Sequence, residues 1–370
     1  MIVGLIIFGV YLYFFIGINE IFDVIKHINS VQFTFFYSLA FLGVLSSVFF
    51  WSAAWNNILK CLSIHIPYRR AYLYYWVSYF TDLVIPCVTV CGELTRLYLV
   101  QKETKENYGA LGAVAVTNRI VAYTVVTVGL YSGAALIFFK HGIPLFIINI
   151  FILFLVGVTI YMGFLFYLAF GEQAARNFTR FYLKLLKIFR PKSYHVRKIE
   201  TTQESLSKYY KGFQTFRKKP KLLVKPFILH SISYLLGISV YVCVFYALGI
   251  PASTPVFYIV VFFITTAFQD ATASFSVGSL EIFLATILVL YGISPGFSGV
   301  AAVVLRSAIF WFPLFVGFLC VQIVGAKNLF AARPEDLKTR SKRTKKKIEK
   351  ETEKQKKEPL IEVESSTTSD

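Results

Sequence analysis

The stretch YGALGAVAVTNRIVAYTVVTVGLYSGAALIFF, residues 108–139, decides the fold of this chain. A helix that crosses a bilayer needs about 20 predominantly apolar residues. This run has 32 residues (139 − 108 + 1), and Arg119 is its one charged residue. It therefore predicts a membrane-crossing helix with a guanidinium group buried roughly 14 to 17 Å along its length, at 1.5 Å per residue.

Five further apolar runs are long enough to cross a membrane. They are residues 2–18, 33–59, 143–170, 226–249 and 297–325. The chain is 56% hydrophobic, and a soluble domain of that composition would aggregate. The first run lacks a basic start and a small-residue cleavage site, so we expect it to be a retained helix. We predict an all-α, polytopic membrane bundle with about six full spans.

Two other apolar regions are interrupted and do not resemble simple spans. Residues 71–91 contain Asp82 and Pro86, and residues 255–292 are split by the polar stretch 269–274. Broken helices are tolerated at membrane depth only where protein or a water-filled cavity satisfies the freed backbone groups. Both regions are therefore predicted to be re-entrant hairpins.

The distribution of basic residues predicts the orientation, because cytoplasmic loops hold an excess of Lys and Arg. Such residues flank the first broken region on both sides, whereas loops 19–32, 139–143 and 250–254 are poor in them. The first hairpin is thus expected to enter from inside and the second from outside. We predict a cell-membrane protein with both termini in the cytoplasm. The flanking basic residues are Lys60, Arg69 and Arg70 before the region, and Arg96, Lys102 and Lys105 after it.

The formal charge of +18 is concentrated in a middle segment and in the tail beyond Lys327. Because both flank apolar spans, anionic lipid at the membrane surface explains them better than nucleic acid does. The middle segment has helical apolar spacing over 178–190 and again over 196–216, typical of helices in the membrane surface. A soluble helical hairpin packed on itself is the alternative. The predicted regions are 1–170 (first repeat), 171–225 (basic linker), 226–325 (second repeat) and 326–370 (charged tail, disordered or a surface helix).

The two broken regions resemble one another in the residues that come after each break. Each has a Gly and a Glu, then an Arg within the next span, then a further Gly. From Glu93 to Arg119 is 26 positions, and from Glu281 to Arg306 is 25. Copies that enter from opposite faces are typical of inverted-repeat transporters, whose substrate site lies between the repeats. The full sets are Gly92, Glu93, Arg119, Gly129 and Gly278, Glu281, Arg306, Gly317.

An arginine at mid-membrane depth costs about 2.5 to 3.5 kcal/mol on insertion scales, so it needs a partner or a polar ligand. The candidate partners are Glu93, Glu281, Asp82 and Asp270. Two interpretations remain open. The pairs are buried salt bridges that fix the bundle, or the arginines bind an anionic head group, because guanidinium geometry suits phosphate oxygens.

These motifs carry a resemblance to a known family. IPCVTVCGELTRLYLV (85–100), AVTNRIVAYTVV (115–126) and SFSVGSLEIFLATIL (274–288) are similar to the flippase-like family named for the transmembrane region of lysylphosphatidylglycerol synthetase. The similarity covers roughly residues 1–325. It implies a lipid-handling bundle like the membrane half of the bacterial multiple peptide resistance factor, which moves an aminoacylated lipid between leaflets. No soluble synthetase domain is expected after Lys327. The matching motif residues are Gly92, Glu93, Arg96 and Arg119, then Gly278, Glu281 and Arg306.

The preferred function is translocation of an anionic or lipid-linked head group through a polar cleft between the repeats. No ATP-binding motif is visible, so movement would be downhill or ion-coupled. The alternative is a non-transporting scaffold that anchors a lipid- or glycan-modifying enzyme, and a membrane-embedded transferase is the weakest reading. We expect membrane lipids as partners, and no catalytic residue, cofactor, metal or nucleic acid. The predicted substrate-binding residues are Arg96, Arg119, Arg306, Glu93, Glu281, Asp82 and Asp270, with Gly92 and Gly278 as hairpin glycines.

Overall fold

The computed structural model describes residues 23–24, 26–85, 90–138, 145–170, 196–249, 255–271 and 276–331. The regular structure in these ranges is helical, with no strand among them. The chain divides into two units, Met1–Cys320 and Val321–Asp370. The contacts that build the bundle and its cavity lie within the first unit.

The first half of the described chain contains a long helix, two short helices and two more long helices. Helix α1 begins after Asn29, whose side-chain oxygen accepts hydrogen bonds from the amides of Val31 and Gln32 and so caps the helix. The helices are α1 (Ser30–Cys61), α2 (Tyr68–Val84), α3 (Val90–Thr104), α4 (Tyr108–Phe138) and α5 (Leu145–Phe170).

The second half begins with a helix between the two membrane parts and then repeats the order of long and short helices. The helices are α6 (Val196–Lys218), α7 (Val224–Ala247), α8 (Pro255–Ala271), α9 (Ser276–Leu290), α10 (Pro295–Arg306) and α11 (Phe312–Ala331). A 3₁₀ turn, Pro220–Leu223, precedes α7. A π-helical segment, Ser307–Trp311, joins α10 to α11.

Five helical stretches within the described residues are long and apolar enough to cross a membrane. They match five of the six predicted spans, and the remaining one, 2–18, lies outside the described residues. On α5, Leu153 and Ile160 are 69% and 68% exposed, as expected for side chains that face hydrocarbon. The prediction of an all-α, polytopic membrane bundle is confirmed. The five stretches are Ser30–Cys61, Tyr108–Ala135, Ile148–Tyr167, Pro220–Ala247 and Pro295–Gly325.

Two helical hairpins occupy the interrupted regions, α2 with α3 and α8 with α9. In each hairpin the first arm has 17 residues and the second has 15. At 1.5 Å per residue the arms are about 25 and 22 Å long, shorter than the roughly 30 Å hydrocarbon core. The breaks, 86–89 and 272–275, lie outside the described residues.

The first hairpin is longer than the predicted 71–91, because its second arm continues to Thr104. Arg96 was therefore wrongly assigned to the cytoplasmic flank. It lies in the second arm and is 4% exposed. An arginine is tolerated there because Glu93, one turn earlier, provides a counter-charge at 2.7 Å.

Helices α1 and α7 pack side by side in opposite directions. The Gln32 side-chain amide donates to the Tyr246 carbonyl oxygen at 2.7 Å, near the start of one helix and the end of the other. The rings of Trp51 and His230 meet at 4.6 Å further along. Residue numbers rise along α1 as they fall along α7. Opposite directions for corresponding helices are what an inverted repeat requires.

The two halves have the same order of elements: a long helix, two hairpin arms and a second long helix. The numbering offset between corresponding residues is nearly constant: 278 − 92 is 186, and 306 − 119 is 187. Close helix contacts also cross between the halves in both directions. A Cβ added to Gly129 of α4 would meet the Phe263 ring of α8, and one added to Gly317 of α11 would meet Phe80 of α2. Each long helix thus packs against the other half's hairpin.

Helix α6 is docked on the bundle by its apolar side. Its Ser205 carbonyl and Gly212 lie close to Gly109 and Ala113 of α4, and Phe213 is buried. The sequence analysis did not predict that contact. One interpretation placed the apolar side of this helix in the membrane surface, and the other packed it against a second soluble helix. Small residues on both helices allow the close approach. The earlier amphipathic stretch, 178–190, lies outside the described residues.

Candidate functional site: a polar cavity between the two halves

A cavity of about 320 Å³ lies among α1, α2, α3, α4, α7 and α8. A volume of this size falls at the lower end of the range for small-molecule sites. Ser47 of α1 and Ser233 of α7 both line it, so the cavity lies where the two halves meet. Its charged lining residues are Asp82, Glu93, Arg96 and Arg119, and its aromatic ones are Trp51, Tyr75, Tyr79, Tyr123, Tyr234, Tyr241 and Phe262.

Glu93 bridges two arginines that come from different helices. One carboxylate oxygen accepts from Nη2 of Arg96 at 2.7 Å, and the other accepts from Nε of Arg119 at 2.6 Å. Arg96 lies one helical turn after Glu93 on α3, whereas Arg119 comes from α4. Charge-assisted hydrogen bonds of this length are among the strongest in proteins. Glu93 therefore ties the second arm of the hairpin to the neighbouring span.

The two arginines differ in their surroundings. The guanidinium of Arg96 lies 4.5 Å from the ring centroid of Trp55 and 4.9 Å from that of Tyr75. Such cation–π contacts stabilise a desolvated guanidinium. The side chain of Arg96 is 5% exposed, whereas that of Arg119 is 21% exposed. Arg96 is thus fixed in the wall, and Arg119 is the more accessible cation.

Asp82 holds the start of the second hairpin arm against the first. Its Oδ1 accepts from the backbone amide of Gly92 at 2.7 Å. A Cβ at Gly92 would lie 2.2 Å from both the other Asp82 oxygen and the Ser78 carbonyl oxygen. Only glycine allows this approach. Asp82 was predicted as an arginine partner, and the contact found for it is this backbone amide at the cavity wall.

A buried amide–imidazole contact lies next to the arginine on α4. Nε2 of His230 and Oδ1 of Asn118 are 3.1 Å apart, so a proton on Nε2 would be donated to Asn118. Both side chains are buried, and Asn118 lines the cavity beside Arg119. This contact joins α4 to α7 across the two halves. It therefore fixes the rotation of the helix that carries Arg119.

The second Glu–Arg pair forms as well, but it does not line the main cavity. Nε of Arg306 donates to Glu281 at 2.9 Å, with both side chains 5% exposed or less. Glu281 also accepts from the amide of Gly278, whose φ of +90° favours glycine. The guanidinium of Arg306 lies 4.2 Å from the ring centroid of Phe310. This pair borders a separate pocket of only about 10 Å³.

The predicted cleft around both arginines is therefore divided into two compartments. Arg96, Arg119, Glu93 and Asp82 line the larger one, whereas Glu281 and Arg306 line the smaller. The side chain of the remaining predicted residue, Asp270, lies outside the described residues. Its backbone belongs to α8.

Several residues in the cavity wall or behind it escaped the sequence reasoning. The aromatic partners of Arg96 have no distinguishing pattern in a chain with 23 tyrosines and 38 phenylalanines. His230 has no metal-ligand spacing to the other histidines that would single it out. Ser47 and Ser233 did carry a signal, because 233 − 47 is 186, the same offset that relates Gly278 to Gly92.

The charges of the cavity nearly balance. Glu93 is shared by two guanidinium groups, so that cluster carries a formal charge of +1. Asp82 supplies a second carboxylate on the other hairpin arm. In a low-dielectric interior, such an arrangement holds ionised groups without a large net charge. It offers a cation and an anion, at separate places, to a polar ligand.

Comparison with known proteins gives one match. No curated protein and no solved structure shows significant similarity to the chain. The profile of the family described as the lysylphosphatidylglycerol synthase TM region matches residues 1–317, which include both hairpins and both Glu–Arg pairs. Since the match covers most of the chain, the protein is an integral membrane protein that belongs to the lysylphosphatidylglycerol synthase TM region family.

Proposed function

We propose that this protein moves the head group of an anionic phospholipid or a lipid-linked phosphate between leaflets through the 320 Å³ cavity. The lipid tails would remain in the hydrocarbon while the head group passes between the two halves. One observation carries the proposal. Arg119 belongs to a helix long and apolar enough to cross the membrane, and its guanidinium group is partly accessible from the cavity.

The electrostatics of the Glu93 cluster support a phosphate as ligand. Glu93, Arg96 and Arg119 together carry a formal charge of +1, which favours an anionic group beside them. Guanidinium groups bind phosphate oxygens in a planar, bidentate manner. Asp82 lies at a different place in the wall and would accept a cationic group on the same head group. The proposed role is transport rather than enzymatic catalysis.

The proposal includes an orientation in the cell membrane with both termini in the cytoplasm. Exposed lysines occur at the end of α3 and along α6, including Lys102, Lys208 and Lys211. Lysines near the membrane surface are attracted to anionic lipids of the cytoplasmic leaflet, by about 1 kcal/mol each. They would hold this end of the protein against that leaflet.

The test is lipid translocation by the purified full chain in vesicles. Vesicles of phosphatidylcholine and phosphatidylglycerol contain a phosphatidylglycerol with a fluorescent head group, and a membrane-impermeant quencher is added. The fast loss of fluorescence reports the outer leaflet, and the slow loss reports lipid that has crossed from the inner leaflet. We expect wild-type protein to translocate the probe and Arg119→Ala to reduce the rate at least tenfold. Arg69→Ala, which removes an exposed arginine at the start of α2, is the matched control. Undiminished translocation by a folded Arg119→Ala protein would overturn the proposal.

A further inference from the structure

The wall between the two compartments is made by a few side chains. Tyr241 of α7 and Ile309 of the π-helical segment line both the main cavity and the small pocket. The Tyr241 hydroxyl donates to the Thr265 hydroxyl of α8 at 3.2 Å. The Glu281–Arg306 pair lies behind this wall and borders only the small pocket.

The π-helical segment Ser307–Trp311 carries one side of this wall. Ile309 is its middle residue, and Phe310 stacks on the guanidinium of Arg306. Single π-helical turns within α-helices are rare and occur frequently at functional sites. The segment therefore supplies one side chain to the wall and another that packs on Arg306.

Two tyrosines of the first half contact the π-helical segment. The Tyr37 hydroxyl of α1 is hydrogen-bonded to the Ser307 hydroxyl, and the Tyr79 hydroxyl of α2 donates to the Ile309 carbonyl oxygen at 3.4 Å. Tyr79 also lines the main cavity. A ligand in that cavity thus lies beside a residue that contacts the segment.

The corresponding part of the first half is regular α-helix. With the offset of 187 that relates Arg119 to Arg306, Ser307–Trp311 corresponds to residues 120–124, which lie within the unbroken α4. The Glu93–Arg119 pair, whose arginine is followed by α-helix, borders the large cavity. The Glu281–Arg306 pair, whose arginine is followed by the π-helical segment, borders only the small pocket and is called the sealed pair below. The backbone form after the arginine differs between the open and the sealed pair.

We propose that the Ser307–Trp311 segment is a gate and that Glu281 and Arg306 form a second phosphate head-group site behind it. Pro313 cannot donate to the Ile309 carbonyl oxygen and disfavours a regular α-helical turn there, so the gate would open when the π turn moves along the helix by one residue, which rotates the side chains of the segment by about 100°. That rotation moves Ile309 from the wall and Phe310 from Arg306, which joins the pocket to the cavity. A head group then passes from Arg119 to Arg306. This inference rests on the proposed function.

The gate is tested first by cysteine accessibility, without transport. Ala302 is fully buried and lines the small pocket, so Ala302→Cys in a full-length chain lacking its five natural cysteines reports on this pocket. We expect slow modification by a water-soluble methanethiosulfonate, at least tenfold faster modification with Ile309→Ala, and slower modification with Ile309→Trp. Equal modification rates in the three backgrounds would overturn the gate.

Translocation of the labelled phosphatidylglycerol separates failure of the gate from failure of the proposed function. Ile309→Trp should reduce the rate at least fivefold, whereas Val303→Trp places the same indole ring at an exposed position of α10 and should not. If wild-type protein moves no lipid, the proposed function fails. If wild-type and folded Ile309→Trp proteins move it equally fast, only the gate fails. If Ile309→Trp does not fold, the Ile309→Ala accessibility result decides.

Discussion

The Ser47 hydroxyl lies 3.1 Å from the carbonyl oxygen of Ser233, and the Ser233 hydroxyl lies 2.8 Å from the carbonyl oxygen of Ser47. Such a reciprocal contact is expected where a two-fold axis passes between equivalent residues. Both serines line the main cavity. The local axis that relates the two halves therefore passes beside the proposed route of the head group.

The two arms of the first hairpin pack so closely at Gly92 that a single added methyl group should destabilise the protein. Gly92→Ala would place a Cβ 2.2 Å from the Ser78 carbonyl oxygen, so the arms must separate. We expect a destabilisation of about 1–3 kcal/mol, typical of overpacking, seen as a lower melting temperature in detergent. Gly157→Ala on α5 meets nothing within 4 Å and should be at least as stable as wild type. Equal melting temperatures for both variants would contradict the close packing.

The sharing of Glu93 by two arginines predicts an order of stabilities. Glu93→Gln removes the carboxylate shared by the buried Arg96 and the partly exposed Arg119, and breaking a buried pair in this way costs about 3–5 kcal/mol. Arg119→Gln should cost less, because Glu93 keeps Arg96 as its partner. The double variant should recover part of the loss caused by Glu93→Gln. Thermal unfolding of the three purified proteins measures this order, and a more stable Glu93→Gln than Arg119→Gln would contradict it.

Variants of the sealed pair, Glu281 and Arg306, should affect stability and transport differently. Glu281→Gln and Arg306→Met should each destabilise, because each removes one member of a buried ion pair. The double variant Glu281→Leu/Arg306→Met should regain most of the stability, since apolar replacement of a buried ion pair is often neutral. If Arg306 receives a head group, translocation should remain at least tenfold reduced. A stable double variant that transports normally would assign the pair a purely structural role.

The two Glu–Arg pairs could be predicted from the sequence, because a buried charge needs a partner and few acidic residues were available. An ionised arginine in a long apolar helix needs a counter-ion, and the spacing of 26 and 25 residues placed a glutamate in each preceding hairpin. The structure joins Glu93 to Arg119 and Glu281 to Arg306. The five described spans followed from hydropathy alone, because in a bilayer the length of an apolar run determines whether it crosses.

The remaining features depend on side-chain packing that leaves no periodic signal. Arg96 was placed in the basic flank of the first hairpin because basic side chains usually flank spans, and its burial depends on Glu93 together with its contacts with Trp55 and Tyr75. The division of the cleft depends on the Tyr241 ring and the Ile309 side chain, which line both compartments. The π-helical turn has one sign in the sequence, Pro313, which lies two residues beyond the segment and has no amide hydrogen to donate to the Ile309 carbonyl oxygen.

The antiparallel packing of α1 and α7 predicts which positions share a side of the membrane. Val31 and Lys60 are exposed near opposite ends of α1, Lys102 ends the first hairpin, and Ser294 comes after the second. We expect Lys60→Cys and Lys102→Cys, in the cysteine-free chain, to react with a membrane-impermeant maleimide from the cytoplasmic side only. Val31→Cys and Ser294→Cys should react from the other side only, as labelling of right-side-out and inverted vesicles will show. Lys60→Cys and Lys102→Cys on opposite sides would mean that the first hairpin crosses the membrane, and the inverted repeat on which the transport route depends would be lost.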